Sequence, residues 1–268
     1  MRRILQHRCL TAWLLGCLAV TLSACAADDA PTAITNATFW LWRNYDTGTD
    51  ERLAEAIVAL NGSVTAVTAD EPMKVLIGKL NSSDVKLVGR TGVDASKAFG
   101  LLVVTEIACK MSQVEKIHTA AEQDTLHPTA YKAYKRTFVS GRDDFLAGKL
   151  KFLDWTTDLT SEFATEALAG SARHVPDLGK TKSPYGAALV SRTYLTKAAT
   201  GTEWPQDYQI EAYYERTPGH MIHMFAVWRE ATFYGLSTAS SSWLQNKMMG
   251  GFVDWDAEVE KACKSGKY

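Results

Sequence analysis

The sequence lacks the short signatures by which common enzymes announce themselves. It contains no Gly-x-Ser-x-Gly elbow, no phosphate-binding loop and no Gly-x-Gly-x-x-Gly turn. It also lacks an excess of either charge: 29 Lys and Arg stand against 30 Asp and Glu. A surface for nucleic acid needs a basic patch to neutralise phosphates, so that partner class is excluded. Beyond the first 24 residues no apolar run is long enough to cross a bilayer. Cysteine is scarce, with five residues at positions 9, 17, 25, 109 and 263. Serine, cysteine and histidine form no recognisable nucleophilic set.

What is present begins with a leader. Arg2, Arg3 and Arg8 precede an uncharged apolar stretch from Cys9 to Leu22, followed by Leu22-Ser23-Ala24-Cys25. A basic start, an apolar middle and small residues at the end are the parts of an export signal. The four-residue ending resembles the bacterial lipobox. That resemblance implies a signal peptide over 1–24, cleavage before Cys25, and lipid attachment at Cys25. Ala26 in the next position resembles the pattern that Gram-negative lipoproteins carry to the outer membrane. The implied location is therefore the outer membrane, with the chain held there by its N-terminal lipid. Ala24-Cys25-Ala26 also reads as a simple secretory cleavage site, and the apolar run also reads as an uncleaved anchor.

Removing three arginines with the leader leaves 26 basic against 30 acidic side chains, a charge of −4, on about 244 residues. The mature chain keeps Cys109 and Cys263 as an even pair. In an exported chain such a pair suggests one disulfide, the alternative being two buried thiols.

The pattern divides the rest into a small polar tether over 25–38, an N-terminal helical region over 39–97 and a larger unit over 98–268. Trp40, Trp42 and Tyr45 cluster near the start. Asp50–Leu60 reads as a helix with Leu53, Ile57 and Leu60 on one face and Asn61-Gly62 as its stop. Two short helices are expected next, one carrying Val75, Leu76 and Leu80, the other beginning at Ser83. Leu101–Ile107 reads as a buried strand, and Ser112-x-x-Glu115 as a capping box opening a helix. Strands are expected near 131–139, 149–157, 162–173, 186–195, 207–216 and 221–233. Thr217-Pro218-Gly219-His220 has Pro and Gly where a type II turn needs them, so the last two strands form a hairpin. A long amphipathic helix covers about 240–264, with Leu244, Met248, Phe252, Trp255, Val259 and Ala262 at helical spacing and Gly250-Gly251 in its middle.

A strand, a helix, six strands and a long helix imply an α+β fold in which a curved antiparallel sheet grips the last helix. This order resembles the START-like, or helix-grip, superfamily. The likeness extends to the style of Val104-Thr105-Glu106-Ile107 leading to Ser112–Ile117, and of Tyr213-Tyr214-Glu215-Arg216 through Trp228-Arg229 to the final helix. The resemblance implies an apolar cavity between sheet and helix that takes sterols, phospholipids, polyketides or hormones, or a cyclase or hydrolase built in the same cavity.

On that reading the ligand-binding residues are Ile222, Met224 and Trp228 on the last long strand, with Met248, Phe252 and Trp255 opposite them on the helix. The same residues also read as a filled core, which would make the protein a structural or interaction lipoprotein. The sequence names no protein partner. No catalytic residue, cofactor or metal is assigned. His220 and His223 cannot share a metal easily, because positions three apart in a strand point to opposite faces. His223 reads as a satisfied histidine and Arg229 as a partner of Glu211 or Glu215. His223 and Arg229 are the first candidates if the protein is an enzyme. Asp154, Asp158, Glu162 and Glu166 read as a solvated sheet face.

Overall fold

The computed structural model describes residues 33–176, 186–201 and 203–268. The leader, Cys25 and most of the expected tether lie outside the described residues.

Helix α1 (Ile34–Asn44) already starts within the stretch expected to be a tether. Ala37, Trp40 and Leu41 are buried there, and Thr38, Phe39 and Trp42 meet Met224, Trp228 and Tyr208 of the sheet. Helix α2 (Asp50–Ser63) follows the expected one closely. The Thr49 hydroxyl caps it by accepting from the Arg52 amide, and Asp50 and Glu51 lie in its first turn, where the helix dipole favours acids.

Residues Met73–Ile77 form strand β1, not the expected helix. A five-residue apolar run carries too little periodicity to separate the two. β1 pairs antiparallel with β2 (Phe99–Ile107), so the sheet runs across the expected boundary at residue 97. The end of β1 comes so close to β2 that a Cβ on Gly100 would lie 2.5 Å from the Gly78 carbonyl oxygen. Between them lies the short helix α3 (Ser82–Lys86), opened by a reciprocal Asn81–Asp84 capping box.

Helix α4 (Met111–His118) leads to β3 (Tyr131–Phe138), and the short α5 (Arg142–Leu146) occupies the expected turn before β4 (Phe152–Ser161). Strands β5 (Thr165–Val175), β6 (Ala188–Leu195), β7 (Glu203–Thr217) and β8 (His220–Phe233) complete the meander, with β9 (Leu236–Ser237) appended to β8. Pro205, which has no amide to give, sits at a break in the β7–β8 register. Gly219 in the β7–β8 turn has φ 81°, the left-handed geometry the Pro-Gly pair foretold. Helix α6 (Ser242–Lys264) is unbroken and is capped by the Ser241 hydroxyl on the Leu244 amide.

The strand order is β1-β2-β8-β7-β6-β5-β4-β3, antiparallel throughout. Helix α6 touches strands near both ends of it. Asp256 bonds Thr105 on β2, and Trp255 lies 6.2 Å from Tyr134 on β3. On a flat sheet those strands would be about 29 Å apart at the usual interstrand spacing. One helix reaches both only because the sheet curls around it. This is the α+β helix-grip arrangement, preceded by small helices.

The other face of the sheet is also covered. Trp42 packs edge-on to Tyr208 and Trp228, each at 5.8 Å. Arg173, buried to 1 %, donates to the Tyr45 and Gly48 carbonyls and pairs with Asp50. The N-terminal helices therefore pack on the sheet face away from α6. They neither cap the cavity side nor stand apart.

Cys109 and Cys263 are joined, closing 154 residues and tying the end of β2 to the last turn of α6. The Glu260 carboxylate accepts from the Ala108 amide beside that link. Replacing both cysteines by serine is expected to lower unfolding stability by about 2–4 kcal/mol, measured by urea denaturation. An unchanged midpoint would mean that the surrounding contacts alone hold the helix end.

Candidate functional site

Alternation along β8 sends His223, Phe225, Val227 and Arg229 toward α6. Ile222, Met224, Ala226 and Trp228 point the other way. The Trp228 ring lies 5.1 Å from Phe39, tilted by 47°, and donates to the Gly78 carbonyl at 2.8 Å, and Met224 meets Thr38. The three strand residues expected to bind ligand therefore belong to the packing under the N-terminal helices. The cause is that β8 is apolar on both faces, because both are covered, and a shift of one residue exchanges them. The polar members of the other set, His223 and Arg229, were the available signal. The helix residues Met248, Phe252 and Trp255 do border the space between sheet and helix.

That space is a cavity of about 540 Å³. Its apolar wall includes Tyr131, Phe163, Leu168, Trp204, Phe225 and Phe233. His223 and Arg229 are six residues apart on β8, so the cavity runs about 20 Å along the strand. Gly251 borders it, and a Cβ on either Gly250 or Gly251 would meet nothing within 4 Å. The two glycines therefore serve neither close packing nor a break. Each instead costs the helix up to about 1 kcal/mol relative to alanine.

At one end the cavity wall carries a buried ionic chain. His223 lies between Asp256 on α6, 2.7 Å from Nδ1, and Glu211 on β7, 3.2 Å from Nε2. The Tyr213 ring stacks on the imidazole at 4.0 Å, and its hydroxyl donates to Glu211 at 3.1 Å. The hydroxyls of Ser191 and Thr105 donate to Glu211 and Asp256. Burial alone would push His223 down, but the two carboxylates overcome it and raise its pKa to about 9. Burial would raise Glu211, but His118, His223 and Arg136 hold it at about 2. His118 Nδ1 is 3.9 Å from Glu211, and burial lowers this second imidazole to about 4. Arg136 donates to the His118 carbonyl and to the Tyr134 hydroxyl, with its guanidinium 4.5 Å over Trp155. Trp155 can lie flat here because its neighbour on β5 is Gly170, where a Cβ would sit 2.6 Å from the indole nitrogen.

The other end is simpler. Arg229 pairs with Asp207, its cross-strand neighbour, and not with Glu211 or Glu215. The guanidinium lies 4.2 Å over Trp204. Glu166, buried on β5, is raised to about 7 by burial, against the pull of Arg229 and with help from Asp207. Of the four carboxylates expected on a solvated face, Asp154, Asp158 and Glu162 are exposed and Glu166 is in the cavity.

His220 is exposed beside Glu106, and among the described residues no cluster of three metal-ligating side chains occurs. Sequence reasoning missed His118, Arg136, Asp207, Glu211 and Asp256 as a group. They come from four separate elements, and only Asp207 and Glu211 share a strand.

No protein-family profile and no curated protein matches the chain. Among solved structures it is similar to the lipid transfer and protein localization domain of human StarD13, at 9% identity over 62% of this chain and 78% of that one, with a TM-score of 0.40. It is similar also to a START superfamily protein from Mycobacterium smegmatis, at 12% identity over 62% and 97%, TM-score 0.37. The Zhui aromatase/cyclase from Streptomyces sp. R1128 matches at 7% identity over 61% and 92%, TM-score 0.37. At these levels the functional reading rests on the cavity itself.

His223 is normally half-protonated at pH 6.5 and is raised in the fold to about 9. Its contribution to stability is therefore complete below pH 6.5 and lost as the pH rises through 9. Denaturant unfolding of the wild type should show this decline across that interval, and His223→Gln should start less stable and lack it. A variant with the wild-type slope would refute a charged His223.

Proposed function

We propose that this protein binds an apolar small molecule in the cavity between the sheet and α6. The observation that carries the reading is the cavity: about 540 Å³, with eight Phe, Tyr and Trp side chains in its lining and an ion pair at each end. That volume lies within the range of about 300–1,000 Å³ in which proteins hold small ligands. A filled core would leave no such space.

Native mass spectrometry of the purified chain after incubation with total membrane lipid tests the proposal. A stoichiometric adduct that solvent extraction releases is the expected result. Leu168 faces the cavity from β5, and Leu168→Trp should cut occupancy at least tenfold while the far-ultraviolet circular dichroism stays unchanged. Full occupancy in that variant, or no adduct in the wild type, would favour a structural role.

A second reading, acid–base turnover of the bound molecule, is favoured by one observation: His118, uncharged at neutral pH, borders the cavity 3.9 Å from Glu211. Turnover would release a molecule of altered mass, and simple binding would return it unchanged.

We propose further that Cys25 carries lipid, so that the cavity works at an outer-membrane surface. The support is the leader and its Leu22-Ser23-Ala24-Cys25 ending. Radiolabelled palmitate should enter the wild-type chain expressed in a Gram-negative host, and Cys25→Ser should abolish the label. Equal labelling of both would place the lipid elsewhere.

A further inference from the structure

The polar atoms around the cavity are mostly spoken for. Glu211 is engaged by His223, Tyr213 and Ser191, and the Arg229 Nε by Asp207, which is fully buried behind the wall. The unbonded nitrogens of His118, His127, Arg136 and Trp204 are sealed within the wall, out of a ligand's reach. Glu166 is neither engaged nor sealed. It lines the cavity from β5 and is 5 % exposed, and among the described residues no hydrogen bond or ion pair reaches its carboxyl group. The residues two before it and two after it, Ala164 and Leu168, belong to an apolar cluster with Tyr134, Leu159 and Trp204, against which Tyr131 and Phe233 pack. A carboxyl group in such surroundings without a partner is a standing cost, which a ligand that brings a donor removes.

Charge selects the donor. Apart from Glu166, the lining carries Arg136, Arg229 and His223 against Glu211, Asp254 and Glu258. Asp207 and Asp256 lie behind it, paired with Arg229 and His223, so three positive side chains face five negative ones. An anion drawn to Arg229 would compete with Asp207 and repel Glu166. A protonated amine would supply the partner that Glu166 lacks, in a charge-assisted hydrogen bond, and aromatic rings favour a cation beside them.

Resting on the ligand-binding reading above, we propose that the molecule held here is an amphiphilic amine, whose protonated nitrogen donates to the Glu166 carboxylate while its apolar body fills the aromatic part of the cavity. Glu166 is raised to about 7 by burial, so below that pH it must first release a proton to water. Arg229 on β8 and Asp207 on β7 act on it in opposite directions. Tyr131 on β3 is pushed up by burial and stays neutral, and burial holds His118 and His127 at about 4, uncharged near neutral pH. Asp254 and Glu258 face the same space from α6. Amine affinity is therefore full above pH 7 and falls up to about tenfold per unit below it.

The test titrates the full chain at pH 8 with three fluorescent probes of one skeleton: 1-pyrenemethylamine, 1-pyrenemethanol and 1-pyreneacetate. A cavity that is merely apolar would favour the neutral alcohol. The proposal expects the amine to bind at least tenfold more tightly than the alcohol, and the carboxylate to bind weakest. Glu166→Gln keeps the shape and removes the charge, so it should bring the amine down to the affinity of the alcohol. Repeating the wild-type titration at pH 6 should weaken the amine several-fold and leave the alcohol where it was, an arm that stands even if the variant fails to fold. Binding of the alcohol as tight as that of the amine, tightest binding of the carboxylate, or an amine affinity that neither the variant nor the pH moves overturns the amine assignment and leaves the cavity reading intact. Binding by none of the three overturns both.

Discussion

The contact between Asp256 on α6 and His223 on β8 is the one on which the rest depends. Burying an imidazolium and two carboxylates costs several kcal/mol per ion unless each is paired and hydrogen-bonded. Here the partners are supplied from three strands: Thr105 from β2, Ser191 from β6, Glu211 and Tyr213 from β7. The chain of contacts can be completed only when helix and sheet are in one relative position. It fixes the helix at the β2–β8 side, while Trp255 props it against β3 on the other. Between those two supports the sheet curves away, and the cavity is the space left over.

The same constraint explains the ionic chain at one end of the pocket. The disulfide at the C-terminal end of α6 and the Glu260–Ala108 contact hold the helix near the ionic chain. Toward the other end the lining grows more aromatic, with Trp204, Phe163 and Phe233 grouped within 6 Å of one another in pairs around Phe233. Gly250 and Gly251 lie in the helix between these regions, bare of contacts at their Cβ positions.

Much of the fold was legible. Turn chemistry at Pro218-Gly219, the apolar face of α2 and the stripe on α6 are local, and local rules read them correctly. The six meander strands were found within a few residues of their ends. The paired Cys109 and Cys263 followed from their number and from the exported setting that the leader implied. Strand β1 was not legible, because five residues next to Pro72 show no distinguishing period. Nor was the role of the N-terminal helices, since an apolar stripe says that a face is buried and not what buries it.

The sequence by itself determined the helix-grip architecture, through periodicities that each element carries within its own few residues. It also placed Met248, Phe252 and Trp255 on one helical stripe. Only the tertiary structure decided which face of β8 meets that stripe. With both faces covered, Ile222, Met224 and Trp228 are as apolar as Phe225 and Val227, and alternation without contrast carries no direction. It likewise decided the site. His118, Arg136, the β7 pair Asp207 and Glu211, and Asp256 lie far apart along the chain, and the energy that pairs buried charges acts across space, where no sequence interval records it.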